Sequence, residues 1–146
     1  MKRLIGLVAI VLIFFAVLNY VGLQDKVEFK GLQKVSLIKT SDETYSLKGE
    51  MLFFNPSSFS SQLGNVNAQI FINEQFAGHI EQSFSQNIPS KSSFSFPFEI
   101  RFTHAEAKPS EKMNTIELKG KASSNSILFN YEISVNDTLN VSGFSD

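Results

Sequence analysis

The chain has 146 residues, enough for one domain of ordinary size, and 13 Lys and Arg against 14 Asp and Glu give it a formal net charge of −1. Setting aside Lys2 and Arg3 leaves 11 basic against 14 acidic side chains, a net −3 with no basic stripe, so nucleic acid is not an expected partner. The absence of cysteine removes disulfides, thiol nucleophiles, soft metal ligands and any lipid-bearing N-terminal cysteine, which leaves the 15 Phe as the main source of bulk for a core.

From Leu4 to Leu23 every residue is uncharged and nearly all are apolar. About 20 residues at 1.5 Å each match the roughly 30 Å hydrocarbon core of a bilayer, which predicts a transmembrane helix and a signal anchor over residues 1–24. Lys2 and Arg3 precede it, so the expected orientation is single-pass, with the N-terminus cytoplasmic and the C-terminal domain on the extracytoplasmic side. A cleaved signal peptide is the competing reading. It wants small residues three and one before the cut, and Ala16-Val17-Leu18 and Asn19-Tyr20-Val21 do not supply them.

Residues 25–146 change to a period of two, the pattern of strands with one buried face. Val27, Phe29, Val35 and Leu37 predict one or two weak strands. Tyr45, Leu47, Met51 and Phe53 predict the next, followed by Val66, Ala68, Ile70 and Ile72, then by Phe76, Ile80 and Phe84. Phe94, Phe96, Phe98, Ile100 and Phe102 form the clearest alternation. Ile116, Leu118 and Ala122, and then Ile127, Phe129, Tyr131, Ile133 and Val135, complete about seven strands. Turn residues such as Asn55-Pro56-Ser57-Ser58 and Pro89-Ser90-Lys91 separate them, and Thr103 to Lys112 reads as a helical turn or an irregular crossover. With no amphipathic helix for βαβ units, the expected fold is all-β: an antiparallel β-sandwich of the immunoglobulin or fibronectin III kind, preceded by one N-terminal transmembrane helix. Pro97 lacks a ladder donor, which predicts an edge position for its strand.

The order of elements from Tyr45 to Arg101 resembles the water-stress and hypersensitive-response (WHy) domain of the second class of late embryogenesis abundant proteins. A strand ends in Asn55-Pro56 (MLFFNPSS), the alternating strand LGNVNAQIFIN follows, EQFAGHIEQ makes a glycine-containing return, and the turn NIPSKSS enters FSFPFEI. The resemblance implies a compact seven-stranded sandwich without catalytic residues, associated with protection under desiccation or other stress.

Chemistry-bearing residues are sparse. His79 falls on the outward face of its strand, His104 lies near a strand end beside Glu106, and Asp42-Glu43 lacks the spaced oxygens of a calcium loop. No catalytic residue, metal site or cofactor is expected, and no nucleophile, base and orienting group can be assembled. Asn136-Asp137-Thr138 and Asn140-Val141-Ser142 fit the glycosylation pattern, which arises readily by chance in an Asn- and Ser-rich chain. The best binding candidates are Leu52, Phe54, Phe71 and Leu128, out of phase with their strands' buried faces and able to form an apolar patch if they gather on one sheet. The expected function is a non-enzymatic, membrane-tethered protective or binding domain. The alternative is a structural or assembly subunit of the cell envelope that docks partners through an edge strand or apolar patch. Expected partners are the membrane through residues 4–23 and envelope or labile client proteins.

Overall fold

The computed structural model describes residues 2–24, 26–83, 85–126 and 130–144. Helix α1 spans Lys2–Gln24. Its large apolar side chains from Leu7 to Val17, and Tyr20, are exposed. The expected bilayer-crossing helix over 4–23 is not carried by the described part of the molecule: among the described residues no helix is long and apolar enough to cross a membrane.

The rest is a sandwich of two antiparallel sheets. Sheet A has the order β1 (Glu28–Lys39), β2 (Thr44–Phe54), β6 (Ser93–Thr103). Sheet B runs β4 (Gln75–Gln82), β3 (Ser61–Ile72), β7 (Met113–Asn125), β8 (Asn130–Ser134), with β5 (Gln86–Ile88) also on β3 and β9 (Asp137–Ser142) also on β7. Among the described residues, nine strands occupy seven lanes. β4 and β5 pair successive parts of β3, while β8 and β9 pair successive parts of β7. The break between β8 and β9 lies opposite Gly120, whose carbonyl accepts from the Val135 amide at 2.9 Å and whose amide donates to Asn136 Oδ1 at 3.2 Å. The antiparallel sandwich is as expected, but the strands number nine where about seven were expected, because two of the lanes are each split into two strands. β9 itself was missed because Asp137-Thr138-Leu139-Asn140-Val141-Ser142 reads equally well as a polar tail.

The sheets meet over one core in which Leu47, Met51, Phe53, Val66, Ile70, Ile72, Phe102, Ile116 and Leu118 are buried. β4 lies against β6 on one side of the sandwich, and β1 lies against β8 and β9 on the other. On the β4 side the contact is close: a Cβ added at Gly78 would stand 2.4 Å from Ile100 Cγ2, so glycine is what lets Ile100 reach the core there. β6 is an edge strand, as Pro97 predicts, and Pro97 stands opposite Glu50 of β2.

Bulges account for two departures from simple alternation. In β1, register shifts at Phe29/Gly31 and Gln33/Ser36 move the inward phase from Val27 and Phe29 to Leu32, then back to Val35 and Leu37. Gly31 (φ 116) and Lys34 (φ 53) supply the positive dihedrals. In β4 the shift at Ile70/Phe71 leaves Ala77 and Ile80 buried and turns Phe76, expected inward, out to 47% exposure. Phe84, Ile127 and Phe129 lie outside the described residues.

Candidate functional site

Each chain crossing between the sheets is held by a buried asparagine. At one end Asn55 terminates β2 and is fully buried. Its Nδ2 donates to the carbonyls of Phe59 (2.8 Å), Ile88 (3.0 Å) and Pro89 (3.2 Å), and its Oδ1 accepts from the Ser57 amide (3.0 Å). Its backbone amide donates to Ser92 O at 2.9 Å, and Ser90 Oγ donates to Ser57 O at 2.9 Å. One side chain thus ties the β2-to-β3 crossing to the β5-to-β6 crossing. Pro56 follows naturally, since the residue before proline is held extended and the helical alternative is blocked.

At the opposite end Asn114, also fully buried, accepts from the Ser110 amide (2.6 Å) and from Asn73 Nδ2 (2.9 Å) while donating to Ser110 O (2.9 Å). Asn73 belongs to the two-residue turn between β3 and β4, where Asn73 (φ 49) and Glu74 (φ 68) have the paired positive dihedrals of a hairpin turn. The crossing from β6 to β7 begins with one helical turn, in which Thr103 O accepts from the Glu106 and Ala107 amides.

The four expected binding residues do not form one patch. Leu52 and Phe54 are half-buried and out of phase with buried Met51 and Phe53, on the outer face of sheet A, where Lys30 Nζ sits 5.7 Å from the Phe54 ring centre. That face is otherwise laced with charge. Glu99 accepts from Ser46 Oγ (2.9 Å) and Arg101 Nε (3.2 Å), while Glu50 accepts from Gln33 Nε2 (3.1 Å) and Lys34 Nζ (3.1 Å). The Ser46 hydrogen bond, then that from Arg101, with the charges of Lys48 and Arg101 adding, holds the Glu99 carboxyl below the usual glutamate range against a small opposing desolvation.

Phe71 is on the outer face of sheet B, out of phase with buried Ile70 and Ile72, so both sheets separate it from Leu52 and Phe54. Phe76 meets it edge-on at 5.9 Å, and Lys119 Nζ lies 5.3 Å from its ring centre while pairing with Glu117 at 2.8 Å. Phe76 is the partner that sequence alternation hid. Leu128 lies outside the described residues.

The outward row of β3 continues from Phe71 as Gln69, Asn67 and Asn65, flanked by His79 and by Lys119 and Lys121. His79 Nε2 donates to Asn67 Oδ1 at 2.8 Å. His104 stands at the far end of the sandwich with its ring 6.2 Å from that of Tyr45, beside a shallow cleft of about 670 Å³ whose walls include Asp42 and Glu43. Among the described residues no three His, Asp or Glu side chains are placed to hold a metal ion.

No family model matches the chain, and no curated protein matches it. Solved structures do. The solution structure of AT1g01470 from Arabidopsis thaliana superposes with a TM-score of 0.65 over 84% of this chain and 85% of that one, at 8% identity. A protein from Archaeoglobus fulgidus gives 0.51 over 79% of this chain and 97% of that one, also at 8% identity. A Bordetella pertussis protein provisionally described as ApaA gives 0.55 over 82% and 94%, again at 8% identity. At such identities the likeness is one of fold alone.

Proposed function

We propose that the chain is a surface-acting, non-enzymatic β-sandwich of the WHy type, which binds or shields labile proteins under stress and is held at a membrane by its N-terminal helix. The observation that carries the reading is the Asn55 clamp. The two turn motifs behind the family resemblance, Asn55-Pro56 and Pro89-Ser90, stand more than thirty positions apart in the chain, yet Asn55 bonds directly to the Pro89 carbonyl and Lys91 Nζ donates to Pro56 O. Their order in the sequence thus has a mechanical reason, which a chance pair of turns lacks. The superposition on the Arabidopsis thaliana structure adds support at the level of fold.

The tether is supported by the uncharged run from Leu4 to Leu23 and by the exposed apolar side chains of α1, since an exposed helix that is apolar all round calls for an apolar surround. It is read by flotation of the full chain with phospholipid vesicles; a chain left at the bottom of the gradient rejects it. Function is tested by drying and rehydrating a desiccation-labile enzyme with the vesicle-bound full chain, against a membrane-tethered immunoglobulin-type sandwich of similar charge. Activity retained beyond that control is the expected result. Equality with the control refutes the protective reading.

A further inference from the structure

We propose that the end of the sandwich from which α1 departs is a membrane-contacting rim, on which the Phe59 ring enters the lipid headgroup layer and Lys91 meets lipid phosphate. The proposal rests on the reading of α1 as a tether and adds how the sandwich stands on the bilayer.

Only Asp25 and Lys26 separate Gln24, the last residue of α1, from Val27. Val27 is buried and its amide donates to Tyr131 OH at 3.1 Å, so the sandwich proper begins there. Three steps of chain reach about 11 Å at most. With the run from Leu4 to Leu23 in the hydrocarbon layer, Gln24 stands at its boundary, and the headgroup layer beyond is roughly 5–8 Å deep. The rim at Val27 therefore meets the headgroups or lies a few ångströms above them. The opposite end of the sandwich stands up to about 35 Å further out, the length of the eleven-residue β2.

Phe59 belongs to this rim, because Glu28 at the start of β1 pairs with Phe54, and the turn 55–60 follows directly. Its side chain is 60% exposed, whereas Phe76 and Met113, the other large apolar side chains exposed among the described residues of the sandwich, lie toward the opposite end. A lone exposed phenylalanine is ordinary on a protein surface. Two things set this one apart. Its backbone is pinned beneath the ring: the amide donates to Ser57 Oγ at 3.0 Å and the carbonyl accepts from Asn55 Nδ2 at 2.8 Å, and both of those side chains are buried. Its surroundings also suit an anionic lipid surface. Lys91 Nζ donates to Pro56 O, which brings the ammonium to the same turn and leaves two of its three protons for other acceptors. Residues 55–60 and 85–92 contain no acid, and Lys91 is their only charge. The turns at the opposite end, 40–43, 73–74 and 104–112, hold Asp42, Glu43, Glu74, Glu106 and Glu111 against two lysines, so anionic headgroups repel that end and not this one. An aromatic ring beside a flexible ammonium, on turns otherwise uncharged and rich in serine, is the chemistry of a bilayer interface.

The chain has no tryptophan, so Phe59→Trp supplies a single fluorescent reporter. The full-length variant is placed in vesicles of equal parts phosphatidylcholine and phosphatidylglycerol, the phosphatidylcholine brominated high on its acyl chains. Bromine is expected to quench the Phe59→Trp emission at least about twofold, to leave that of Phe76→Trp unquenched, and to lose more than half of its effect when Lys91→Glu is added. In the wild-type chain a nitroxide-labelled lipid is expected to broaden the amide signals of Ser58, Phe59 and Ser60 and to leave those of Asp42 and Glu43 sharp, which reads the same contact without any substitution. A Phe59→Trp chain that floats with the vesicles yet emits unquenched overturns the proposal and leaves the tether standing, as does quenching indifferent to Lys91→Glu. Emission that shifts to the blue with protein density and ignores bromine also overturns it, because Phe59 then seats on a second copy. A chain left at the bottom of the gradient overturns the tether and the rim together, and the drying assay judges the protective reading separately.

Discussion

Replacing Asn55 by alanine removes one amide group that bonds three carbonyls and one backbone amide across two crossings of the chain. The bonds to Ile88 O and from the Ser57 amide are buried, so the loss of each carries the penalty of an unsatisfied buried group, at least about 1 kcal/mol. The two partly buried bonds, to Phe59 O and Pro89 O, add roughly 0.5–1 kcal/mol each, since water can replace part of what is lost. The sum is at least about 3 kcal/mol, a large share of the stability of a small domain. At roughly 3–5 °C per kcal/mol for a domain of this size, Asn55→Ala is expected to lower the melting temperature by about 10 °C or more. Far-UV circular dichroism of the full chain in detergent, read on the strand signal, measures it. Asn55→Asp keeps the acceptor for Ser57 but sets a carboxylate against three carbonyls, and should be no more stable than the alanine variant. Asn87→Ala, at an exposed position of β5, serves as the reference within about 0.5 kcal/mol of wild type. An Asn55→Ala protein that melts within a few degrees of wild type would refute the clamp.

Gly78→Ala places a methyl 2.4 Å from Ile100 Cγ2 and is expected to destabilise by about 1–3 kcal/mol; Ile100→Ala removes that atom, so in the double variant the glycine substitution should cost less than it does alone. Additive losses in urea denaturation would show that the two sheets do not meet there. Glu99 has a folded pKa below its unfolded value, so its contribution is present above the ordinary glutamate range and is lost as pH falls through the lowered folded value. Glu99→Gln should therefore flatten the acid limb of the stability profile and leave its neutral part little changed, and a carboxyl titration by NMR at or above the ordinary value would contradict the hydrogen bond from Ser46.

How far the sequence carried depended on whether the backbone kept strict alternation. Along β2, β3 and β7 it does, and Tyr45, Leu47, Met51, Phe53, Val66, Ala68, Ile70, Ile72, Ile116 and Leu118 are buried where the period of two places them. Pro97 likewise told its own position, because a missing donor is a local fact. Phe76 did not, because one extra residue at Ala77 turns the strand's phase, and nothing in Gln75-Phe76-Ala77-Gly78 forces a bulge. Leu32 escaped for the same reason. Leu52, Phe54 and Phe71 lie out of phase with their buried neighbours, but which outer face each occupies depends on sheet membership. β2 and β3 follow one another in the chain yet belong to opposite sheets, and that is decided by the Asn55 crossing, not by either strand's own pattern.

The split outer lanes bear on how the domain yields to tension. If α1 is held in place and the far end of the chain is pulled, force enters at the tip of β9, where Ser142 pairs with Met113, and the ladder on β7 parts one rung at a time toward Asp137. The seam at Val135 and Asn136 interrupts that unzipping, because both backbone groups of Gly120 are held across it and β8 stands on its own set of rungs. A modest pull thus frees six residues of slack while β8 and the core beneath it stay assembled, giving a sandwich held in that way a compliant end ahead of a stiff body.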